Sequence, residues 1–259
     1  MSKVTEIFEA NRASGTDTLI GYFPAGFPTF EDSLEACVAM CENGVDILEL
    51  GVPYSDPVMD GPVIQEATEL ALANGFKLKR VFELVEAITK RVSTPVLVMT
   101  YWNPVLQFGV EEFAKSLKSA GGAGLITPDL IVDEANDWLA ISDELDLDRV
   151  FLATPSSSQE RIDKAVEVAR GFVYAVSTMG ITGAREDLDA KARRVVEKVR
   201  TANPQQNVAV GIGISNADQV AEVNSYADGA IVGSVFVRAY VNGGIENLKN
   251  LTRELSREK

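Results

Sequence analysis

A carboxylate inside an apolar segment is the first feature of this sequence that could carry chemistry. Glu49 lies in the run Ile47–Gly51, whose alternation predicts a strand with Ile47, Glu49 and Gly51 on one face. A carboxyl group that is partly removed from water keeps its proton to a higher pH, which suits acid–base work near neutrality. Glu49 is therefore a candidate catalytic group if it points into a barrel mouth. If it points into a helix layer, we expect an ion pair with a neighbouring Arg or Lys.

The loop after this strand holds two further carboxylates in a stiff setting. Residues 51–62 include three prolines, each of which fixes φ, together with Asp56 and Asp60. Either aspartate could face Glu49 across the mouth of a barrel. Either could instead form a turn or cap a helix. The loop therefore offers one or two candidate partners for Glu49.

Glycines after the last three strands form a second candidate site. Gly183, Gly213 and Gly233 each follow an apolar run, and Ser234 comes directly after the last of them. Glycine lets backbone N–H groups approach an anion, and barrel phosphate sites often use the loops after strands seven and eight. These residues predict a phosphate monoester site, with tight structural turns as the alternative. Asn216 stands where a dinucleotide fingerprint would need its third glycine.

Several kinds of chemistry are excluded by residues that the sequence lacks. It contains no histidine, which rules out an imidazole base and His-ligated zinc. Every lysine falls outside the candidate strands, so no lysine is placed for a Schiff base or for pyridoxal phosphate. Cys37 and Cys41 share a helix face at a spacing that disfavours a disulfide, which predicts free thiols in a reducing compartment. Any carbon–carbon cleavage would depend on carboxylates and on the substrate's own electronics.

Apolar runs and amphipathic runs alternate along the whole chain. The candidate strands are Leu19–Phe23, Ile47–Gly51, Val96–Tyr101, Gly124–Thr127, Val150–Ala153, Phe172–Val176, Val208–Gly211 and Ala230–Gly233. The candidate helices include Phe30–Glu42, Leu78–Arg91, Val110–Ala120, Glu134–Leu145, Gln159–Ala169, Leu188–Thr201 and Ala217–Tyr226. Eight strand–helix units in 259 residues favour a closed barrel over an open doubly wound sheet. We expect an α/β fold, a single (β/α)8 TIM barrel, as one domain over residues 1–259.

In such a barrel the site lies at the carboxyl ends of the strands. Four aromatic or aliphatic residues fall there: Tyr22, Tyr101, Ile126 and Tyr174. They could form the wall of a flat apolar pocket, although such residues also simply fill barrel cores. Asp129, just after the fourth strand, is expected to anchor the neighbouring loop.

The charge balance limits the classes of partner. The chain has 24 basic and 38 acidic residues, a formal charge of −14, which disfavours nucleic acid and anionic lipid. No run of about 18 apolar residues or leader-like N-terminus is present, so we expect neither a membrane span nor export. The expected location is the cytoplasm.

Several ordered motifs resemble one known family. They are Glu49–Pro57 with Asp60–Pro62, Tyr101–Pro104, Pro128–Leu130, Gly180–Ala184 and Gly211–Ile214. Together they span nearly the whole chain and resemble the signature of the tryptophan synthase α subunit family. The resemblance implies a lyase that cleaves indole-3-glycerol phosphate to indole and glyceraldehyde 3-phosphate.

The resemblance also implies roles for individual residues. The residue matching Glu49 protonates indole C3 and helps to move the glycerol hydroxyl proton, while that matching Asp60 holds the indole N–H. The residues that match positions around the substrate are Tyr22, Ile126 and Tyr174 at the ring, Thr182 on a loop that closes, and the amides of Gly183, Gly213, Gly233 and Ser234 at the phosphate. Tyr101 is expected to contact the substrate as well.

A partner follows from the same resemblance: a pyridoxal-phosphate β subunit that receives indole in an αββα complex. The cofactor would belong to that partner, with no cofactor or metal in this chain. Residues 53–60 would take part in the contact. Rival readings are a lyase that acts alone, a non-catalytic activator of a β subunit, and a generic phosphate-binding isomerase barrel.

Four positions depart from the commoner family pattern: Phe27, Met59, Thr127 and Phe236. None removes a candidate catalytic group. We expect them to affect the strength of coupling to the β subunit and the rate of the isolated chain.

Overall fold

The computed structural model describes residues 2–176, 185–211 and 213–257, with the backbone alone for residues 185–187. Within these ranges nine parallel strands form one sheet. The strands are β1 Leu19–Pro24, β2 Ile47–Gly51, β3 Val96–Met99, β4 Gly124–Ile126, β5 Asp148–Val150, β6 Leu152–Ala153, β7 Val173–Val176, β8 Val208–Gly211 and β9 Gly229–Val232. Their order is β5-β4-β3-β2-β1-β9-β8-β7-β6.

The two outer strands of this order are consecutive in the chain. Only Phe151 separates β5 from β6. Residues 148–150 pair with β4, whereas residues 152–153 pair with β7, so one segment joins both ends of the sheet. The sheet therefore curves into a nearly closed barrel, and the predicted (β/α) barrel is confirmed. The predicted fifth strand begins two residues earlier than expected and is interrupted at Phe151, because it changes partner there.

Helices surround this barrel. They are α1 Lys3–Ser14, α2 Phe30–Glu42, α3 Pro62–Ala73, α4 Lys79–Thr89, α5 Trp102–Phe108, α6 Val110–Ser119, α7 Asn136–Glu144, α8 Gln159–Val168, α9 Arg185–Ala202, α10 Ala217–Asn224 and α11 Ser234–Ser256. Among the described residues, no helix combines the length and apolar character that a membrane crossing needs.

Helix α2 shows how local sequence sets the bounds of these elements. The Thr29 hydroxyl accepts a hydrogen bond of 3.1 Å from the Asp32 N–H and so caps the first turn. The helix buries Cys37 against the sheet, and both Cys37 and Cys41 are free thiols. Burial raises the pKa of Cys37 well above its ordinary value and that of Cys41 to about 12. Both thiols are thus held in their unreactive protonated form.

The core has two layers. The larger cluster lies between the strands and the helices. The smaller one fills the barrel interior with side chains from the strands and from α1, among them Val4 and Phe8. The Phe8 ring packs edge-on against Phe172 with centroids 5.7 Å apart. Helix α1 therefore closes the amino-terminal end of the barrel and leaves the carboxyl end for a site.

Candidate active site

Glu49 points into the barrel. In the sheet register it stands between Tyr22 of β1 and Leu97 of β3. Ile47, two residues earlier on the same strand face, belongs to the interior cluster, whereas Leu48 and Leu50 belong to the outer one. The helix-layer alternative is therefore wrong.

The Glu49 carboxylate has no counterion in the described part of the chain. It is fully buried, and neither oxygen has a hydrogen-bond partner there. Burial alone raises the pKa of Glu49 to about 8. An unpaired carboxylate in this setting is costly, so the neutral acid is the favoured form at pH 7. Such a group can give up a proton when a substrate arrives.

Asp60 is the loop aspartate that faces the same space. It is half-buried, and burial raises its pKa to about 6. Asp56 is exposed and accepts a hydrogen bond of 2.6 Å from the Ser55 hydroxyl, which is the turn role. Neither aspartate caps the next helix, because the cap of α3 is Gly61.

Two tyrosines share the electrostatic environment of both carboxyl groups. The pKa of Tyr22 is raised well above its ordinary value by burial, and further by the negative charges of Asp60 and Glu49. The same causes, burial first, raise the pKa of Tyr174. Asp60, Glu49, Tyr22 and Tyr174 therefore lie at one end of the barrel, as the sequence predicts.

Glycines at the strand ends make room for these rings. A Cβ on Gly51 would lie 2.1 Å from the Tyr22 hydroxyl, and one on Gly211 would lie 2.6 Å from the Tyr174 hydroxyl. Both distances are far below a normal contact, so a side chain at either position would displace a ring. Ile126, at the end of β4, is buried in the interior cluster.

Tyr101 is engaged with the loop that carries Asp60. Its hydroxyl accepts a hydrogen bond of 2.9 Å from the Met59 N–H, and its ring packs on Tyr54 with centroids 5.2 Å apart. Burial and the nearby Asp60 charge raise the pKa of Tyr101 to about 12. The hydroxyl thus stays protonated and keeps a hydrogen that it can donate.

The predicted phosphate residues lie at the ends of β8 and β9. Gly213 has a φ of 71° and open space where a Cβ would stand. Gly233 caps α11, Ser234 is its first residue, and a Cβ on Gly233 would touch the Tyr22 ring at 3.5 Å. Within the described ranges, the N–H groups of Gly213 and Ser234 have no acceptor. The Ser234 donor lies next to Gly233 and so close to the Tyr22 ring.

Two predicted residues, Thr182 and Gly183, lie outside the described residues. Asp129, in contrast, is well placed: its carboxylate accepts a hydrogen bond of 2.8 Å from the Trp102 N–H at the start of α5. Sequence reasoning missed Gln65 of α3, whose side-chain amide donates to the Asp60 carbonyl at 2.8 Å. The only signal in the sequence was its position in the first turns after the Asp60 loop.

The four departures from the family pattern are packed into the structure. Phe27 is buried beside Phe23 and Tyr240. Thr127 and Phe236 are buried as well, and Met59 offers only its backbone to Tyr101.

Comparison with known proteins identifies the family. The sequence model described as "Tryptophan synthase alpha chain" matches residues 8–258. The chain belongs to the tryptophan synthase alpha chain family. The resemblance inferred from the motifs is thereby confirmed.

Relatives within the tryptophan synthase alpha chain family align over nearly all of the chain. The alpha chain of Leifsonia xyli is 57% identical over 257 residues, covering 99% of this chain and 98% of its own length. That of Mycobacterium avium is 51% identical, covering 98% and 93%. Among solved structures, Mycobacterium tuberculosis tryptophan synthase is 48% identical with a TM-score of 0.93, covering 99% and 98%. The tryptophan synthase complex of Pyrococcus furiosus is 34% identical with a TM-score of 0.82, covering 93% and 98%.

Proposed function

We propose that this chain is the α subunit of a tryptophan synthase and cleaves indole-3-glycerol phosphate to indole and glyceraldehyde 3-phosphate. As a member of this family it is a lyase of tryptophan biosynthesis. The observation that carries the proposed chemistry is Glu49, a buried carboxyl group without a counterion in the described chain, which lies with Asp60 in the surroundings of the Tyr22 ring. This arrangement supplies a proton donor next to a site for positive charge.

The proposed reaction runs through one proton donor and one charge stabiliser. Neutral Glu49 gives its proton to indole C3, and the Asp60 carboxylate accepts the ring N–H and stabilises the positive charge that develops on the ring. The bond from C3 to the glycerol chain then breaks, and its electron pair returns to the ring. Glu49, now a carboxylate, takes the proton of the glycerol hydroxyl as that oxygen becomes the aldehyde. Glu49 ends the cycle protonated, and no atom is gained or lost.

The remaining site residues bind the two ends of the substrate. Tyr22, Ile126 and Tyr174 would form the wall around the indole ring, with Tyr101 at its edge. The N–H groups of Gly213, Gly233 and Ser234 would hold the phosphate, which fits a chain too acidic to offer a basic patch. By the family resemblance, Thr182 and Gly183 would complete the closure over the substrate and the phosphate.

The proposed partner is the pyridoxal-phosphate-dependent β subunit, in an αββα complex that passes indole between the two sites. The Pyrococcus furiosus relative is a tryptophan synthase complex, which supports this assembly. The cofactor would belong to the β subunit, with none in this chain. We place the chain in the cytoplasm as a single domain over residues 1–259.

The test is release of indole by the purified full chain, alone and with a tryptophan synthase β chain. We expect release from the wild type, a higher rate with the β chain, and loss of release in Glu49→Gln. Unchanged turnover in Glu49→Gln would refute the proposal. A rate indifferent to the β chain would indicate a lyase that acts alone. Absent release with a stimulated β reaction would indicate a non-catalytic activator.

The pH dependence of kcat/KM gives a second readout of the same experiment. Asp60 must be ionised and Glu49 protonated, and their pKa values are raised to about 6 and about 8. We therefore expect a bell-shaped profile that rises through about pH 6 and falls through about pH 8. A profile flat between pH 5 and pH 9 would contradict these roles.

A further inference from the structure

The side chain of Gln65 bonds the loop that carries Asp60. Its amide nitrogen donates to the carbonyl of Asp60 at 2.8 Å and to that of Pro57 at a longer 3.4 Å. Both acceptors are carbonyl oxygens, so the amide NH2, and not the amide oxygen, faces the loop. Gln65 itself is fixed one turn into α3, where its backbone N–H donates to the Gly61 carbonyl at 2.9 Å.

The same short loop is held from its other side. The Tyr101 hydroxyl accepts the Met59 N–H at 2.9 Å, and the Val58 N–H donates to the Asp56 carbonyl at 3.0 Å. Residues 57–60 are therefore bonded through two carbonyls to α3 and through one N–H to Tyr101, which precedes α5. Their backbone has little freedom while these bonds last.

The Asp60 carboxylate, in contrast, accepts no hydrogen bond from the described residues, and burial is the one cause of its raised pKa. Its position then depends on its own backbone, and the bond from Gln65 to the Asp60 carbonyl fixes the direction of that backbone. A shift of about 1 Å in a catalytic group can cost about 10²-fold in rate. A residue that never touches the substrate can thus control the charge-stabilising carboxylate.

We propose that Gln65 is a positioning residue that holds the Asp60 carboxylate against the indole ring. This inference rests on the proposed function. It assigns to α3 a part in catalysis that the motifs around Glu49 and Asp60 do not reveal. It also gives a reason for the half-buried position of the polar Gln65 side chain on that helix.

The first test compares Gln65→Met with Glu66→Met, an exposed position on the same helix, in the full chain with and without a β chain. Methionine keeps the length of glutamine but has no N–H to donate. We expect kcat for indole release to fall about 10- to 100-fold in Gln65→Met, with KM changed less than about threefold. Glu66→Met should match the wild type.

The pH profile separates positioning from mere stability. Burial raises the pKa of Asp60 to about 6, and a loosened loop would expose this carboxyl to water. The rising limb of kcat/KM should therefore move to lower pH in Gln65→Met. In Gln65→Glu the introduced carboxyl donates only when protonated, so its kcat relative to wild type should recover as the pH is lowered.

Three outcomes of these measurements would overturn the inference about Gln65. A wild-type kcat and an unmoved rising limb in Gln65→Met would overturn the inference and leave the proposed function intact. A lower melting temperature with the rising limb unmoved would reduce Gln65 to a structural residue, which also overturns it. A wild-type chain that releases no indole would overturn the proposed function and, with it, this inference.

Discussion

At the scale of single residues, the site is defined by two carboxyl groups that burial affects to different degrees. Glu49 lies inside the barrel with a pKa raised to about 8, and Asp60 lies at the mouth with a pKa raised to about 6. At pH 7 the first is mainly neutral and the second mainly ionised. Two acidic side chains thus acquire different roles from their surroundings, one as an acid and one as a stabilising charge.

The buried Glu49 also predicts how stability depends on pH. Its pKa is about 8 in the folded chain against 4.5 when unfolded. Between those values the folded state holds a proton that the unfolded state has lost, so this group's contribution to stability declines as the pH rises from 4.5 to 8. A one-unit difference in pKa between the two states is worth about 1.4 kcal/mol, so the total is several kcal/mol.

Glu49→Gln removes this titration. We expect the difference in free energy of unfolding, variant minus wild type, to increase as the pH rises from 4.5 to 8. Denaturant titration at several pH values measures it. The comparison uses the slope of the free energy of unfolding against pH. Its absolute value is not compared, because the new amide is also buried without partners. Exposed Glu66→Gln serves as the control and should follow the wild type. Parallel curves for Glu49→Gln and wild type would show that Glu49 is ionised in the folded chain.

At the scale of elements, the ends of neighbouring strands are shaped for one another. Tyr22 of β1 reaches across the end of β2 and occupies the space that a side chain at position 51 would need. The sequence alone presents Gly51 as a flexible start to the loop. In the structure it is a contact surface for an aromatic ring.

This contact predicts a coupling between two substitutions. Gly51→Ala would place a Cβ 2.1 Å from the Tyr22 hydroxyl, and such overpacking typically costs about 1–3 kcal/mol. Tyr22→Leu shortens the side chain and removes the clash, although it leaves a cavity. We expect the double variant to lose less free energy of unfolding than the two single variants lose together, as measured in a double-mutant cycle. Additive losses would contradict the contact.

At the scale of the whole molecule, the two ends of the barrel differ. Helix α1 closes one end, and the segments that follow the strands at the other end carry exposed apolar side chains. Val58, Leu106 and Ile131 follow β2, β3 and β4 and are 75%, 52% and 40% exposed. We predict that these side chains belong to the face that docks a β subunit, since exposed apolar groups rimmed by polar residues are typical of interaction surfaces.

Leu106 gives a direct test of this docking face. Leu106→Asp should weaken binding to a tryptophan synthase β chain at least about tenfold, because it buries a charge in an apolar contact. Val241→Asp, at a position that is 64% exposed on α11, should bind like the wild type. Isothermal titration calorimetry gives both affinities. Equal affinities for the two variants would place the interface elsewhere.

Much of this architecture follows from local patterns in the sequence. Periods of two and about 3.6 residues depend on near neighbours only, so the strands, most helices and the barrel could be predicted from them. The same is true of Glu49, whose place in an apolar run marks it as unusual. Helices α1, α3, α5 and α11 were missed, and α1 proves to be the closure of the barrel.

Other properties depend on residues that are distant in the chain and were decided only by the tertiary structure. Periodicity allowed two directions for Glu49, and packing of the barrel interior selected one and left it without a counterion among the described residues. The loop of Asp60 is held by Tyr101, 42 residues beyond Met59. Hydrogen bonds across such separations form only when the strands are already side by side, so no local pattern encodes them. The sequence by itself determined which groups could react, and the closed barrel decided how they face each other.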